Sequence, residues 1–318
     1  MLRIKPLLAL IFLCATTLSG AQEALPSPNQ NLDAPINLVS GYMVATFQER
    51  TLGTMSLVID TGSAKSLLFS DSLDKAEIQR VRQSKETFRG TGAGKSVRSK
   101  GKLQLDLITT SQTFLTMSVE VIDRTDIGQK LLPGANGVLG WDVLSRYCTR
   151  INPEKRQILI SPPENTCLPI GSENAAFRGG WQSDGISLPV EVRPPNGKPM
   201  HTKLRLDTGF DAAILLQKRP RELEATQPPQ KESAGIGLGI NGSYKFQTIS
   251  PATVIFDGGT PEVSGVSIFI QLDPTHSPRS AVDGVMGNMF WTKMVITLAP
   301  SSHTVFLEPT GNAETKNP

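Results

Sequence analysis

The chain has 318 residues, 38% of them hydrophobic and 19% charged, with 28 Gly and 23 Pro; that is enough to bury one large core or two ordinary ones, and it excludes bulk disorder. The longest apolar run, Leu7 to Leu18, is short of the roughly 20 residues that span a bilayer, so stable membrane insertion is not expected. The formal charge is +3, and setting aside Arg3 and Lys5 leaves 30 basic against 29 acidic side chains, an overall balance that points to no nucleic-acid partner.

Residues 1–21 read as a secretory signal peptide: basic Arg3 and Lys5, the apolar run, then Ser19-Gly20-Ala21 as a cleavage site. Cys14 follows Leu13 inside the apolar run and does not fit a lipoprotein site. A periplasmic or secreted protein is therefore expected. Removing the leader leaves two cysteines, Cys148 and Cys167, which an oxidising compartment would pair; two buried thiols are the alternative. His201, His276 and His303 are the only histidines and none lies beside the cysteines, so no metal site and no cofactor are expected.

Along the mature chain the elements read as strands. Ile36 to Phe47 and Met55 to Ile59 are strand-like runs, followed by Asp60-Thr61-Gly62 and the apolar triplet Leu67-Leu68-Phe69. Leu73 to Arg82 and Trp141 to Tyr147 are the best helix candidates. Ser161 to Ser183 mixes Pro, Gly and Asn without periodicity and reads as a linker. Ile186 to Val192 and Lys203 to Leu206 flank the turn Pro194-Pro195-Asn196-Gly197 and lead into Asp207-Thr208-Gly209. From Thr310 the chain is a polar tail.

These elements repeat. Asp60-Thr61-Gly62 recurs 147 positions later as Asp207-Thr208-Gly209, Leu67-Leu68-Phe69 as Ile214-Leu215-Leu216, and Gly137-Val138-Leu139-Gly140 as Gly284-Val285-Met286-Gly287, with Gly90-Thr91-Gly92 facing Gly237-Leu238-Gly239 at the same offset. Four matched features in one register mark an internal duplication. The expected organisation is an N-terminal lobe at 22–163, a linker at 164–183, a C-terminal lobe at 184–309 and a tail at 310–318. Short strands with abundant Gly and Pro make both lobes all-β.

The pattern of hydrophobic-Asp-Thr-Gly with a later hydrophobic-Gly element in each half resembles the pepsin and retropepsin superfamily of aspartic proteases in its two-lobed, single-chain form. The resemblance implies two pseudo-twofold-related, barrel-like lobes, a peptide or protein substrate in the cleft between them, a monomer, and Asp60 and Asp207 as the catalytic dyad. It implies that Thr61 and Thr208 hydrogen-bond across the lobe interface. Gly62 and Gly209 let the backbone pass close to the carboxylates and donate N–H bonds without a Cβ in the way.

Such a loop suits peptide hydrolysis without a metal or covalent nucleophile. One carboxylate must be ionised to activate water and the other protonated to polarise the carbonyl. Two carboxylates in one site supply this, because like charges force their titrations apart.

The two halves depart from each other after the motif, where Ser63 fits the family pattern and Phe210 does not. A hydroxyl that could orient one carboxylate is then missing in the second half, and a catalytically silent relative that binds a peptide or partner protein is the alternative reading. The flap of the first lobe is expected around Lys85 to Lys100, with Gly90, Thr91, Gly92 and Gly94 at its tip and no Tyr. Tyr244, in the corresponding second-lobe segment, reads as an ordinary hairpin residue. Gly90 to Ser96 also resembles a phosphate-binding loop, but Arg89 stands where that motif needs Gly, and Ser96 to Lys102 is too polar for the helix that should follow.

Overall fold

The computed structural model describes residues 31–88, 97–109, 112–124, 132–163, 167, 176–177, 180–195, 198–217, 234–239, 242–256, 261–271 and 282–310. The first half contributes β1 (Leu32–Val39), β2 (Tyr42–Glu49), β3 (Gly53–Ile59), β4 (Leu67–Phe69), β5 (Thr87–Phe88), β6 (Val97–Thr109), β7 (Gln112–Ile122), β8 (Gly137–Leu139), β9 (Cys148–Asn152) and β10 (Gln157–Ser161). Then follow β11 (Ala176–Phe177), β12 (Gly180–Gln182), β13 (Gly185–Arg193), β14 (Met200–Leu206), β15 (Ile214–Leu216), β16 (Ala234–Gly239), β17 (Gly242–Phe256), β18 (Glu262–Gln271), β19 (Gly284–Met286), β20 (Met294–Ala299) and β21 (Thr304–Pro309).

Period-two burial explains why these segments are strands. Along β1, Leu32, Ala34 and Ile36 are buried while Asp33, Pro35 and Asn37 are exposed, and along β6 the buried Leu103, Leu105 and Leu107 alternate with polar residues. Each buried Leu or Ile contributes about 1.5–3 kcal/mol relative to exposure.

The architecture is two-lobed and all-β. In the first lobe the order β2-β3-β8-β4-β7-β6 closes on itself through β2–β6 pairing, and in the second β13-β14-β19-β15-β18-β17 closes through β13–β17. A third group of strands, in the order β11-β21-β20-β9-β10-β1, joins the halves, with Ile296 of β20 opposite Ile151 of β9. Cys148 and Cys167 form a disulfide against Ala299 and Phe306 of the second half. The bond therefore ties the segment after β10 to the sheet that both halves share.

Several local expectations change. The run Ile36 to Phe47 is a hairpin rather than one strand: Ser40 and Gly41, with φ of 50° and 86°, turn β1 into β2, as two-residue hairpin loops require. The helix expected over Leu73 to Arg82 shrinks to Lys75–Gln79, started by a capping box in which Asp74 and Glu77 satisfy each other's backbone N–H. The helix expected over Trp141 to Tyr147 stops at Leu144, because Cys148 already begins β9. The segment Ser161 to Ser183 carries β11 and β12, which pair with β21 and β13. β11 is specified by a partner about 130 residues away and β12 by the hairpin it forms with β13, and neither leaves a periodic trace in so short a run. The segments expected to be a signal peptide (1–21), a polar tail (beyond Thr310) and a flap tip (Gly90, Thr91, Gly92 and Gly94) lie outside the described residues.

Candidate active site

Both Asp-Thr-Gly loops are built the same way. β3 runs parallel to β8, pairing Leu57 with Gly137, Val58 with Val138 and Ile59 with Leu139, and β14 runs parallel to β19, pairing Leu204 with Gly284, Arg205 with Val285 and Leu206 with Met286. The chain leaves the sheet at the aspartate and returns as β4 or β15 on the other side of the same short strand. The Asp60 N–H is held by the Leu139 carbonyl at 3.0 Å and the Asp207 N–H by the Met286 carbonyl at 2.9 Å. A Cβ on Gly137 or Gly284 would run into the Leu67 or Leu215 carbonyl. The backbones cross there at a separation only glycine permits.

The loops meet at the lobe interface. Thr61 and Thr208 are fully buried, and the N–H of each donates to the hydroxyl of the other at 3.0 Å. The Thr61 hydroxyl donates to the Leu206 carbonyl at 2.9 Å and the Thr208 hydroxyl to the Ile59 carbonyl at 2.8 Å. Each loop is thus fastened to the strand that delivers the other aspartate. The glycines are exchanged in the same way: a Cβ on Gly62 would overlap the Asp207 carboxylate, and one on Gly209 the Asp60 carboxylate.

The two carboxyl groups are partly buried and within hydrogen-bonding reach of each other, and they differ in their donors. Asp60 Oδ1 accepts from the N–H groups of Gly62 and Ser63, both at 2.9 Å. Asp207 Oδ1 accepts from Gly209 at 3.0 Å, while the Phe210 N–H goes to the Asp207 main-chain carbonyl at 3.3 Å. Burial raises the pKa of Asp60, opposed by the Ser63 and Gly62 N–H groups. Asp207 is pushed further up, first by burial and then by the charge of Asp60. Both shifts favour a pair that holds one proton between its two carboxyl groups.

Ser63 does not use its hydroxyl on the carboxylate; it donates to the Lys65 carbonyl at 2.7 Å. Phe210 is buried against Leu215 and Val285, with Phe246 and Phe269 beside them. The difference between the halves therefore lies in a backbone donor and an apolar plug.

Sequence reasoning missed three features. Ser66 accepts the Gly140 N–H at 2.9 Å, and its N–H and hydroxyl donate to Asp142 at 2.8 and 2.7 Å. This pair has no counterpart in the second half, where Ala213 and Met289 stand 147 positions on. Asn288 instead donates its amide to the Thr208 carbonyl at 2.6 Å. Finally, the tip of each lobe's first hairpin touches the opposite loop: Gly41 approaches Asp211, and Gly185 approaches the Thr61 carbonyl. Among the described residues no cluster of side chains could hold a metal ion, and no helix is long and apolar enough to cross a membrane.

This is the two-lobed pepsin-like fold. It superimposes on the aspartic proteinase of Irpex lacteus with a TM-score of 0.58 at 12% identity, covering 90% of this chain and 99% of that one. It also matches soybean basic 7S globulin (TM-score 0.53, 10% identity, 88% and 95% covered) and lupine conglutin gamma (0.51, 11%, 89% and 96%). No family model matches the sequence, and no curated protein matches it. A proteinase and two globulins share the fold, so catalysis has to be argued from the site.

Proposed function

We propose that the chain is an exported aspartic endopeptidase acting through Asp60 and Asp207. The observation that carries this reading is the pair of adjacent carboxyl groups, each resting on the other loop's glycine and each raised in pKa by burial. A water held between them would lose a proton to Asp60 as its oxygen attacks the scissile carbonyl, while Asp207 donates its proton to the carbonyl oxygen. The resulting tetrahedral diol would collapse, breaking its C–N bond, as Asp60 passes its proton to the leaving nitrogen and Asp207 takes one back from a diol hydroxyl, which restores the dyad. Fixed N–H donors on Asp60 stabilise its charge without reorganisation. The substrate is a peptide or protein segment lying between the lobes, with the hairpin over Lys85 to Lys100 as the flap, and the working form is a monomer released from residues 1–21 into the periplasm or medium.

A second reading is a silent relative that binds a peptide or partner protein. Phe210 favours it, since a large buried side chain occupies the position after the second motif, and globulins carry the same fold. Incubating the mature chain and its Asp207→Asn form with a complex peptide mixture from pH 3 to 8, roughly the span over which coupled carboxylates titrate, separates the two. New peptide termini from the wild type alone support the enzyme; none from either form leaves the binder.

A further inference from the structure

The near-neutral overall balance conceals a concentration of charge. Between Arg80 and Lys102 the sequence carries eight Lys or Arg against Glu86 alone, a net +7, so the rest of the chain carries −4. The structure places six of these cations, Arg80, Arg82, Lys85, Arg98, Lys100 and Lys102, on and beside one hairpin stem, and all six are exposed. Arg98, Lys100 and Lys102 alternate with buried residues on the outer face of β6, and Lys102 pairs directly with Arg82 across the stem. Like charges placed opposite each other weaken a sheet. The buried Glu120 carboxylate accounts for Lys102, but no described carboxylate accounts for Arg82.

Part of this charge is answered within the protein. Lys100 pairs with Asp123 at 2.5 Å and Lys102 with Glu120 at 3.2 Å. Arg82, Lys85 and Arg98 make no ion pair with any described residue. Between the pairings Arg82↔Lys102 and Thr87↔Arg98 the stem opens, since four residues on one side face three on the other. Gly101, at φ of 155°, has no room for a Cβ beside the Arg82 carbonyl. The opening is a cavity of about 490 Å³ lined by Gln83, Ser84, Lys85, Arg98, Ser99 and Lys100. The unpaired Lys85 and Arg98, the Asp123-paired Lys100, the Ser84 and Ser99 hydroxyls and the Gln83 amide around one concavity suit carboxylate groups.

We propose that this stem is a binding site for acidic peptide segments, so that substrates of the proposed protease carry clustered Asp or Glu; the substrate assignment rests on that reading, the binding site does not. A peptide fits better than an extended anionic surface for two reasons. The remainder of the chain is net negative and would be repelled by a bilayer or a nucleic acid. β5 is also the last strand of its sheet, a place where an extended segment can lie alongside.

The test uses the full mature chain in its Asp207→Asn form, so that binding is read without cleavage. Fluorescein-labelled hexaglutamate, followed by anisotropy at low salt, is expected to bind saturably. The triple variant Lys85→Gln/Arg98→Gln/Lys100→Gln should bind at least about tenfold more weakly, and the charge-preserving Lys85→Arg/Arg98→Lys should bind like its parent. A matching thermal midpoint for the triple variant shows that it is folded; if it does not fold, the single variant Lys85→Gln, expected to bind severalfold more weakly, takes its place. No binding by the parent, or equal binding by the neutralised variant, overturns the site. Phosphatidylglycerol vesicles that sediment the parent while hexaglutamate fails to bind would assign the stem to a membrane and overturn the peptide assignment. A chain that binds hexaglutamate but cleaves nothing leaves the site standing and removes the protease reading alone.

Discussion

Thr61 and Thr208 hold each other: each takes the other's backbone N–H on its hydroxyl oxygen at 3.0 Å and gives its own hydroxyl proton to the strand that ends at the opposite aspartate. Four bonds made by two fully buried residues thus couple the two halves at the point where the carboxyl groups meet.

Removing one hydroxyl should therefore cost more than one ordinary hydrogen bond. In Thr208→Val the Thr61 N–H and the Ile59 carbonyl both lose their partner in a buried site, at about 1–3 kcal/mol each. The urea midpoint should fall accordingly and cleavage should drop. Thr208→Ser keeps the hydroxyl and should lie within about 1 kcal/mol of wild type. Equal stability for the Val and Ser forms would show that the clasp contributes nothing.

Phe210 gives a second test. Sequence alone suggests that a hydroxyl is what the second loop lacks, yet Ser63 sends its hydroxyl to the Lys65 carbonyl and holds Asp60 by its N–H. In Phe210→Ser the new hydroxyl would have the same kind of route, while the cluster of Leu215 and Val285 loses its centre. The expected result is a loss of about 3–5 kcal/mol in stability, as for other large-to-small core changes, with turnover retained and the pH limits in place. A pH limit displaced by more than about one unit, worth some 1.4 kcal/mol, would show instead that the side chain tunes Asp207.

These cases mark what a single sequence discloses. The duplicated motif was legible because the chemistry admits few alternatives at Asp60, Thr61 and Gly62, and a register of 147 shared by four features does not arise by drift. Ser66 and Asp142 were not legible. They are single residues, 76 positions apart, whose counterparts Ala213 and Met289 break the repeat. β11 and β12 were hidden because their pairing partners, not their own two or three residues, make them strands. The turn at Ser40 and Gly41 was overlooked between apolar neighbours, Leu38-Val39 and Tyr42-Met43, that blur it into one run.

Asp142 makes a prediction about stability against pH. Burial raises its pKa and outweighs the two bonds from Ser66. A carboxyl whose folded pKa lies above its unfolded value favours folding fully only below the unfolded pKa, and the contribution is lost as pH rises through the folded pKa. Asp142→Asn keeps an acceptor for Ser66 and removes the charge. Its unfolding midpoint should therefore gain on wild type as pH rises from 4 toward 7, a window that opens at the usual carboxylate range. Parallel curves for the two proteins would show that Asp142 is not strained by ionisation.

The dyad makes the last prediction. Both aspartates have raised pKa values, by burial and, at Asp207, also by the charge of Asp60, so a window exists in which the pair holds one proton. Cleavage should follow a bell in pH, falling on the acid side when the pair takes a second proton and on the alkaline side when it loses its last one. Asp60→Asn removes the base and Asp207→Asn the acid, and either alone should abolish cleavage with little change in volume. The same shifts fix the sign for stability: a raised carboxyl pKa contributes to folding at low pH and loses that contribution as pH climbs through the folded value. Asp207→Asn should therefore be less stable relative to wild type at pH 4 than at pH 8, and its stability should be the flatter function of pH. A wild-type profile with one limb only, or an Asn variant whose stability follows the wild-type curve, would mean that the carboxyl groups titrate independently and share no proton.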